Sequence, residues 1–350
     1  MRDDRPRFPS RPVAGAASDA PAEFSIDLSA AVVAVTAEEP RVLALRVGDR
    51  PALPSGPLEE HHRTLEGGLR SWVERQTHQQ LNYIEQLYTF GDLDRHDGGP
   101  ARALSVAYLA LVREARPAGE MAAAWLGWYA CFPWEDWRGG RPAVLDRIGA
   151  GLEEWACAAR DARTAEMRRR RRVLAFGQEG AEETSWNDER VLERYELLYE
   201  AGLVAEAAED GAPAAPDSLP SQTLPGEVLP AEAFTGQPLL GQPMALDHRR
   251  ILATAISRLR GKIKYRPVVF ELMPPAFTLL QLQKAVEALS GMLLHKQNFR
   301  RLVESQGLVE ETGETTSGTG GRPARLVRFR RDVLLERPAP GVRPQGARRG

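Results

Sequence analysis

The sequence has very little cysteine: Cys131 and Cys157 are the only two in 350 residues. They exclude a disulfide framework and offer no zinc-finger spacing, so a reducing cytoplasm is the simplest compartment. Neither has a histidine that can be nominated as its partner, so both are read as core residues rather than nucleophiles. Long apolar runs are missing too. The stretch from Ser29 to Ala37 is about half of the roughly 20 residues a membrane span requires, and no apolar leader with a cleavage site precedes it. No membrane partner is expected. Net charge is nearly absent, at -2, which argues neither for nor against nucleic acid as a partner.

What is present is a globular balance of 43% hydrophobic and 27% charged residues, on a chain long enough for two or three domains with separate cores. The neutrality is an average over unlike parts. Residues 248–350 hold 20 Lys+Arg against 8 Asp+Glu, a net of +12, which leaves 26 against 40 and a net of -14 in residues 1–247. Two electrostatically opposite pieces share one chain.

Residues 1–23 lack apolar periodicity and read as a disordered lead-in, and 338–350 as a disordered tail. Strand-like runs follow at FSIDLSAAVVAVT from Phe24 and RVLALRVG from Arg41, separated by the turn EEP. Between Glu59 and Gln80 the spacing of Leu65, Leu69, Trp72 and Val73 predicts a helix. YIEQLYTF and ALSVAYLALV are two further strands, joined as a hairpin by GDLDRHDGGP. This order gives an α+β domain with a mixed sheet over 24–137. Residues 141–206 read as helices, and Glu209 to Pro243 as a Pro-rich linker, so 138–245 forms a helical insertion with its linker. The five arginines Arg168 to Arg172 could grip phosphate, but a solvated helix face among glutamates explains them better. Trp125, Trp128, Trp134 and Trp137 are read as core or interface packing, with a base-stacking wall as the sharper alternative.

The last module, 246–337, has a helix from Arg249 to about Gly261, a short strand YRPVVFEL, helices over 277–289 and 294–304, and strands LVEET and ARLVRF around a Gly/Thr/Ser-rich loop. Helix, strand, helix, turn, helix, hairpin is the order of a winged helix-turn-helix. Lys296, Gln297, Asn298, Arg300 and Arg301 are long donors suited to base edges and phosphates, while Phe299, Leu302 and Val303 pack inward. Thr278 and Gln281 start the preceding helix, where phosphate contacts are expected, and Arg322 and Arg325 lie in or beside the wing. A merely basic surface helix is the plainer reading, weakened by this context.

The helix of the first domain fits the frame of a Nudix hydrolase motif, whose glutamates hold Mg2+. With Gly56 and Arg70 aligned, His62 and Ser71 stand at glutamate positions, Trp72 at the apolar one, Glu74 and Arg75 at the acidic pair and Thr77 at the closing glycine. One carboxylate of the central trio remains, and Arg75 puts a cation where the dication would sit, so Mg2+ binding is not expected. Glu59, Glu60 and Glu66 read as a solvated helix face. His61 and His62, taken as adjacent on a helix, point apart and make poor ligands.

YIEQLYTFGDLDR, SVAYLALV, LDHRRILATAISRLRGKIKYRPVVFEL, FTLLQLQKAVEALSG, HKQNFRR and GRPARLVRF together resemble the Nudix-related transcriptional regulators of NAD metabolism, the NrtR family, and especially its long members. The matched parts cover roughly two thirds of the chain, with 138–240 as an insertion in which RYELLYEAGLV is placed to extend a dimer interface or cover a ligand cleft. The resemblance implies a homodimeric cytoplasmic repressor of NAD synthesis or salvage genes, with a winged helix on a palindromic operator in double-stranded DNA. It implies a Nudix-like domain sensing ADP-ribose or a related nucleotide, which puts Gly56, Arg70 and Glu74 in ligand binding. No catalytic residue, metal or cofactor is expected. The alternatives are a Nudix-type pyrophosphohydrolase acting on ADP-ribose or NADH, and a first domain that serves only as a dimerisation scaffold.

Overall fold

A computed structural model describes residues 24–91, 102–115, 122–177, 185–209, 240–316, 323–336 and 341–342. The lead-in, the GDLDRHDGGP turn, most of the proposed linker and tail, and the wing tip with Arg322 lie outside the described residues.

The first domain is a mixed sheet. Strands β1 (Phe24–Thr36), β2 (Glu39–Val47), β3 (Arg50–Ala52), β5 (Tyr83–Phe90) and β6 (Arg102–Leu111) run in the order β3-β2-β1-β6-β5. Strand β4 (Ser55–Pro57) adds to β1, and β7 (Ala123–Gly127) to β2. The β1–β6 pair is parallel and the other pairs are antiparallel. The continuous apolar run of β1 is explained by burial on both faces. Leu28, Ala30, Val32 and Ala34 face one core with Leu69 and Val73 of helix α1 (Leu65–Thr77), while Ala31 and Val33 face the other. Helix α1 begins at the first of the spaced apolar residues, Leu65, where Thr64 caps it by accepting the N–H of Gly67.

The second core corrects the expectation of separate domain cores. It joins one sheet face to the helical insertion and the C-terminal module: Val33, Leu109, Trp128, Trp134, Leu152, Tyr195, Leu198, Ile251, Ile256, Leu282 and Phe299 belong to one cluster. Short α2 (Trp128–Cys131) and a 3-10 turn at Pro133–Glu135 lead into α3 (Val144–Cys157), α4 (Ala162–Phe176), α5 (Val191–Glu200) and α6 (Ala205–Glu209). The run read as helical through Phe176 breaks before Asp161, whose carboxylate caps α4. Helix α5 lies against α7 (His248–Ile263), with Tyr195, Leu197 and Leu198 buried, so RYELLYEAGLV is an internal packing element. The chain returns to the core before Pro243: Leu240 and Met244 are buried.

YRPVVFEL is not a strand. Val268–Leu272 forms a 3-10 helix in which Val268, Val269, Phe270 and Leu272 are all buried, so the alternation a half-buried strand needs is absent. The extended pairing occurs instead at Phe277, which exchanges backbone hydrogen bonds of 2.9 and 2.8 Å with Val327. Helices α8 (Leu279–Ser290) and α9 (Lys296–Ser305) and the hairpin β8 (Val309–Thr316) and β9 (Ala324–Phe329) complete the winged helix, followed by α10 (Val333–Glu336). No helix among the described residues is long and apolar enough to cross a membrane.

Candidate nucleic-acid interface

Helix α9 divides its residues cleanly. Phe299 and Val303, four apart, are buried and anchor it, while Lys296, Gln297, Asn298, Arg300 and Arg301 are exposed. None of these five side chains makes a hydrogen bond or ion pair among the described residues. Arginine is ordinarily drawn to any carboxylate within reach, so two unpaired arginines on one short helix leave a concentrated positive face available to phosphate and base edges.

The approach to α9 is set by a buried carboxylate that sequence reasoning missed. Glu287, near the end of α8, accepts the Leu294 N–H at 3.0 Å and the Gln283 amide at 2.9 Å, and Gln283 also donates to the Leu294 carbonyl at 3.1 Å. Glu287 and Gln283 are both buried, so this clip holds the turn between the helices rigidly. Lys284 extends it: its ammonium lies 3.5 Å from Glu287 and 3.3 Å from Glu38 in the turn between β1 and β2. Both carboxylates push the Lys284 pKa up. A Glu inside an apolar helix stripe, four residues after a Gln, was the available signal.

Thr278 and Gln281 form a capping box at the start of α8. The Thr278 hydroxyl accepts the Gln281 N–H at 3.2 Å and the Gln281 side chain accepts the Thr278 N–H at 2.7 Å, so their first role is to satisfy the helix end. Gln281 remains exposed. In the wing, Arg325 and Arg328 pair across the strands with Glu311 and Glu310, both at 2.6 Å. These exposed pairs hold weakly and open at little cost when a phosphate competes.

The candidate sensor residues gather on and against α1, and two of them are engaged within the fold. Gly56 lies flat against Trp72, where an added Cβ would sit 2.3 Å from the indole, and the Trp72 N–H donates to the Pro57 carbonyl at 2.9 Å. Arg70 is held by Glu66 at 2.8 Å and by the Leu81 carbonyl. Arg75 stacks 4.2 Å from the Trp72 ring centroid. Glu74 is exposed, Ser71 half-buried, and Thr77 buried with its hydroxyl donating to Val73 O at 2.6 Å. Gly56 and Arg70 therefore have packing roles that account for them without a ligand. His61 and His62 precede α1 rather than lying on it, and their rings approach to 4.3 Å beside Glu59.

The remaining candidates resolve into packing. Trp125 belongs to the core under α1, whereas Trp128 and Trp134 are buried in the other and Trp137 meets Trp186 at 4.7 Å, so the four form no single stacking wall. Arg169 and Arg172 pair with Glu153, Arg170 with Glu166 and Arg171 with Glu200, while Arg168 stacks 4.1 Å from Trp155. Cys131 is buried, and burial pushes its thiol up to about 12. A depression of about 550 Å³ lies between β5, the start of α5 and α7, lined by Glu85, Glu193, Arg258, Lys262 and Tyr265 among others.

Three contacts bind the sheet domain, the insertion and the C-terminal module. Glu135 is completely buried and receives Arg194 from α5 and Arg260 from α7, each at 2.6 Å. Arg249 meets Glu206 at 3.1 Å and also donates to the Cys131 and Leu240 carbonyls. The Tyr129 hydroxyl donates to the Ala288 carbonyl at 2.6 Å, and burial raises its pKa so that it stays a donor.

Comparison with known proteins places the C-terminal module. Residues 269–329 match the family described as the NrtR DNA-binding winged helix domain, so this segment is a winged helix of the NrtR type. A curated relative, the ADPR responsive transcriptional repressor NtrR of Acinetobacter baylyi, is 43% identical over 86 residues. That match covers 25% of this chain and 34% of the relative, about a third of its length. Among solved structures, NrtR of Shewanella oneidensis complexed with a 27mer DNA aligns over 89% of this chain and 95% of its own, at 18% identity and a TM-score of 0.48. A MutT/nudix family protein from Enterococcus faecalis aligns over 90% of each chain at 15% identity and a TM-score of 0.49. Scores at this level assign no function.

Proposed function

We propose that this chain, whose last module is a winged helix of the NrtR type, is a DNA-binding transcriptional repressor of NAD synthesis or salvage genes. The observation that carries the reading is the exposed, unpaired donor set of α9, mounted on Phe299 and Val303 and held at a fixed angle by Glu287. Lys296, Asn298, Arg300 and Arg301 meet the major groove, Gln297, Thr278 and Gln281 approach the backbone, and Arg322 and Arg325 contact the duplex from the wing. A two-fold site read by a homodimer is the arrangement that doubles such a small contact surface.

The first domain is proposed as a sensor for ADP-ribose or a related NAD-derived nucleotide, as the relative's name supports for that protein. It acts without Mg2+ and without hydrolysis: Glu74 is alone at the surface and Arg75 lies over Trp72. A ligand of this kind acts through its different affinity for two states of the assembly. The buried contacts of Glu135 and Arg249 are a physical route by which the sheet domain bears on α7 and α8. Its compartment is proposed to be the cytoplasm.

The test is binding of a fragment from upstream of its own gene, followed against salt. Tight binding that weakens steeply as salt rises, and falls roughly 10- to 100-fold in Arg300→Ala with Arg301→Ala, is expected. Unchanged binding in that double variant overturns the interface. Heat on titration with ADP-ribose, with altered DNA affinity, supports the sensor, and its absence favours a scaffold. Mg2+-dependent release of AMP that Glu74→Gln abolishes would restore the hydrolase.

A further inference from the structure

The turn before α1 gathers three metal-ligating side chains that the regulator reading does not use. Glu59 and His62 close the turn, with the His62 N–H donating to the Glu59 carbonyl at 2.9 Å. The His62 ring then folds over Gly68, where an added Cβ would lie 2.8 Å from Nδ1. Its side chain is 4% exposed, and its Nε2 is buried with no hydrogen-bond partner. A polar atom buried in this way is uncommon and calls for a reason.

The atoms around that nitrogen supply one. Glu59 Oε2 lies 3.8 Å from His62 Nε2, too far for a hydrogen bond, and 3.3 Å from His61 Nδ1. All three donor atoms lie within 4.8 Å of one another. Ligands about 2.1 Å from a tetrahedral metal stand about 3.4 Å apart, and the two separations from Glu59 Oε2, 3.3 and 3.8 Å, lie on either side of that value. His61 is 66% exposed, so an ion and its water have access from solvent.

We propose that Glu59, His61 and His62 form an open capture site for a borderline transition-metal dication of the zinc class. Two imidazoles and one carboxylate favour zinc, cobalt or nickel over Mg2+, which prefers oxygen ligands and keeps its water. Binding carries one local rearrangement. His62 Nδ1 accepts the Glu59 N–H at 3.1 Å, so the proton of the neutral ring sits on Nε2. Coordination through Nε2 moves that proton to Nδ1 and releases the Glu59 N–H. No proton leaves the ring, and one hydrogen bond is exchanged for a metal–nitrogen bond.

The experiment uses the full chain stripped with a chelator and titrated with Co2+, followed by visible absorption. A saturable band at one equivalent, displaced by Zn2+ and not by excess Mg2+, is expected. His61→Ala changes an exposed side chain and leaves the fold intact by circular dichroism; it should weaken Co2+ binding at least tenfold. Glu59→Gln should weaken it as well. Faster hydrogen exchange at the Glu59 amide on Zn2+ binding would report the released N–H. No band, or a band of equal strength in His61→Ala, overturns the site. The assay contains no DNA, so its failure leaves the regulator reading untouched.

Discussion

Arg194 and Glu135 meet at 2.6 and 2.9 Å through two guanidinium nitrogens, with neither side chain exposed to solvent. The same carboxylate takes Arg260, so one negative charge from the sheet domain holds a cation from the insertion and another from α7. The remaining guanidinium protons are not left bare: Arg194 reaches the Ala175 and Asn187 carbonyls, and Arg260 the Leu289 and Asp188 carbonyls. Burying charge is costly unless every donor is satisfied, and here the donors are spread over three parts of the chain. The network makes those parts one mechanical unit.

Removing the shared carboxylate should therefore be severe. Glu135→Ala leaves two buried guanidiniums facing each other, and a loss of about 3–5 kcal/mol in denaturant unfolding is expected. Arg194→Met, which leaves Arg260 with Glu135, should cost less. Equal stability of Glu135→Ala and the parent would mean that water reaches the cluster.

The α8–α9 clip gives a local prediction. Glu287→Leu leaves the Leu294 N–H and the Gln283 amide without their acceptor, at a cost of about 1–3 kcal/mol. Hydrogen exchange at Leu294 should accelerate, and preference for one DNA sequence over a random duplex should fall more than affinity for the random duplex. A uniform loss on both duplexes would show that Glu287 supports only stability.

Gly291 closes α8 in the left-handed region, at a φ of 72°, and an added Cβ would lie 2.2 Å from the Glu135 carbonyl. Gly291→Ala meets both penalties, strain of about 1–2 kcal/mol from the backbone and a further loss of similar size from overpacking against the sheet domain. Thermal unfolding would measure the sum. A change no larger than the backbone strain alone would mean that the contact with Glu135 yields freely.

The two cysteines should behave oppositely. Cys131 is buried with its thiol pushed up to about 12, whereas Cys157 is exposed. Mild alkylation at neutral pH should modify one thiol in the folded protein and two after denaturation. Rapid modification of Cys131 in the folded chain would show that the packing of α2 opens.

Much of this was legible in order and period. The strands, α1, the helices of the last module and the inward turn of Phe299 and Val303 follow from spacing, because a helix or strand repeats its buried face locally. Misreadings occurred where local pattern was silent about neighbours. Val268–Leu272 is apolar enough for a strand but folds as a 3-10 turn that buries Val268, Val269, Phe270 and Leu272 and leaves Glu271 exposed, a burial with no strand alternation. His61 and His62 read as helical from their neighbours, but the helix starts three residues after His62, at Leu65, where Thr64 caps it.

The scarcity of cysteine and of long apolar runs already argued against a disulfide framework and a membrane span, no helix among the described residues is long and apolar enough to cross a membrane, and the charge asymmetry already set the last hundred residues apart. Composition and period are sums over neighbours in the chain, so the sequence alone determines them. Which acid meets which base is decided by chain segments far apart in number. Only the tertiary structure brings Glu135 to Arg194 and Arg260, pairs Arg325 with Glu311, and leaves Arg300 and Arg301 without a carboxylate among the described residues. Those pairings, rather than the count of arginines, determine which cations remain open to a phosphate partner.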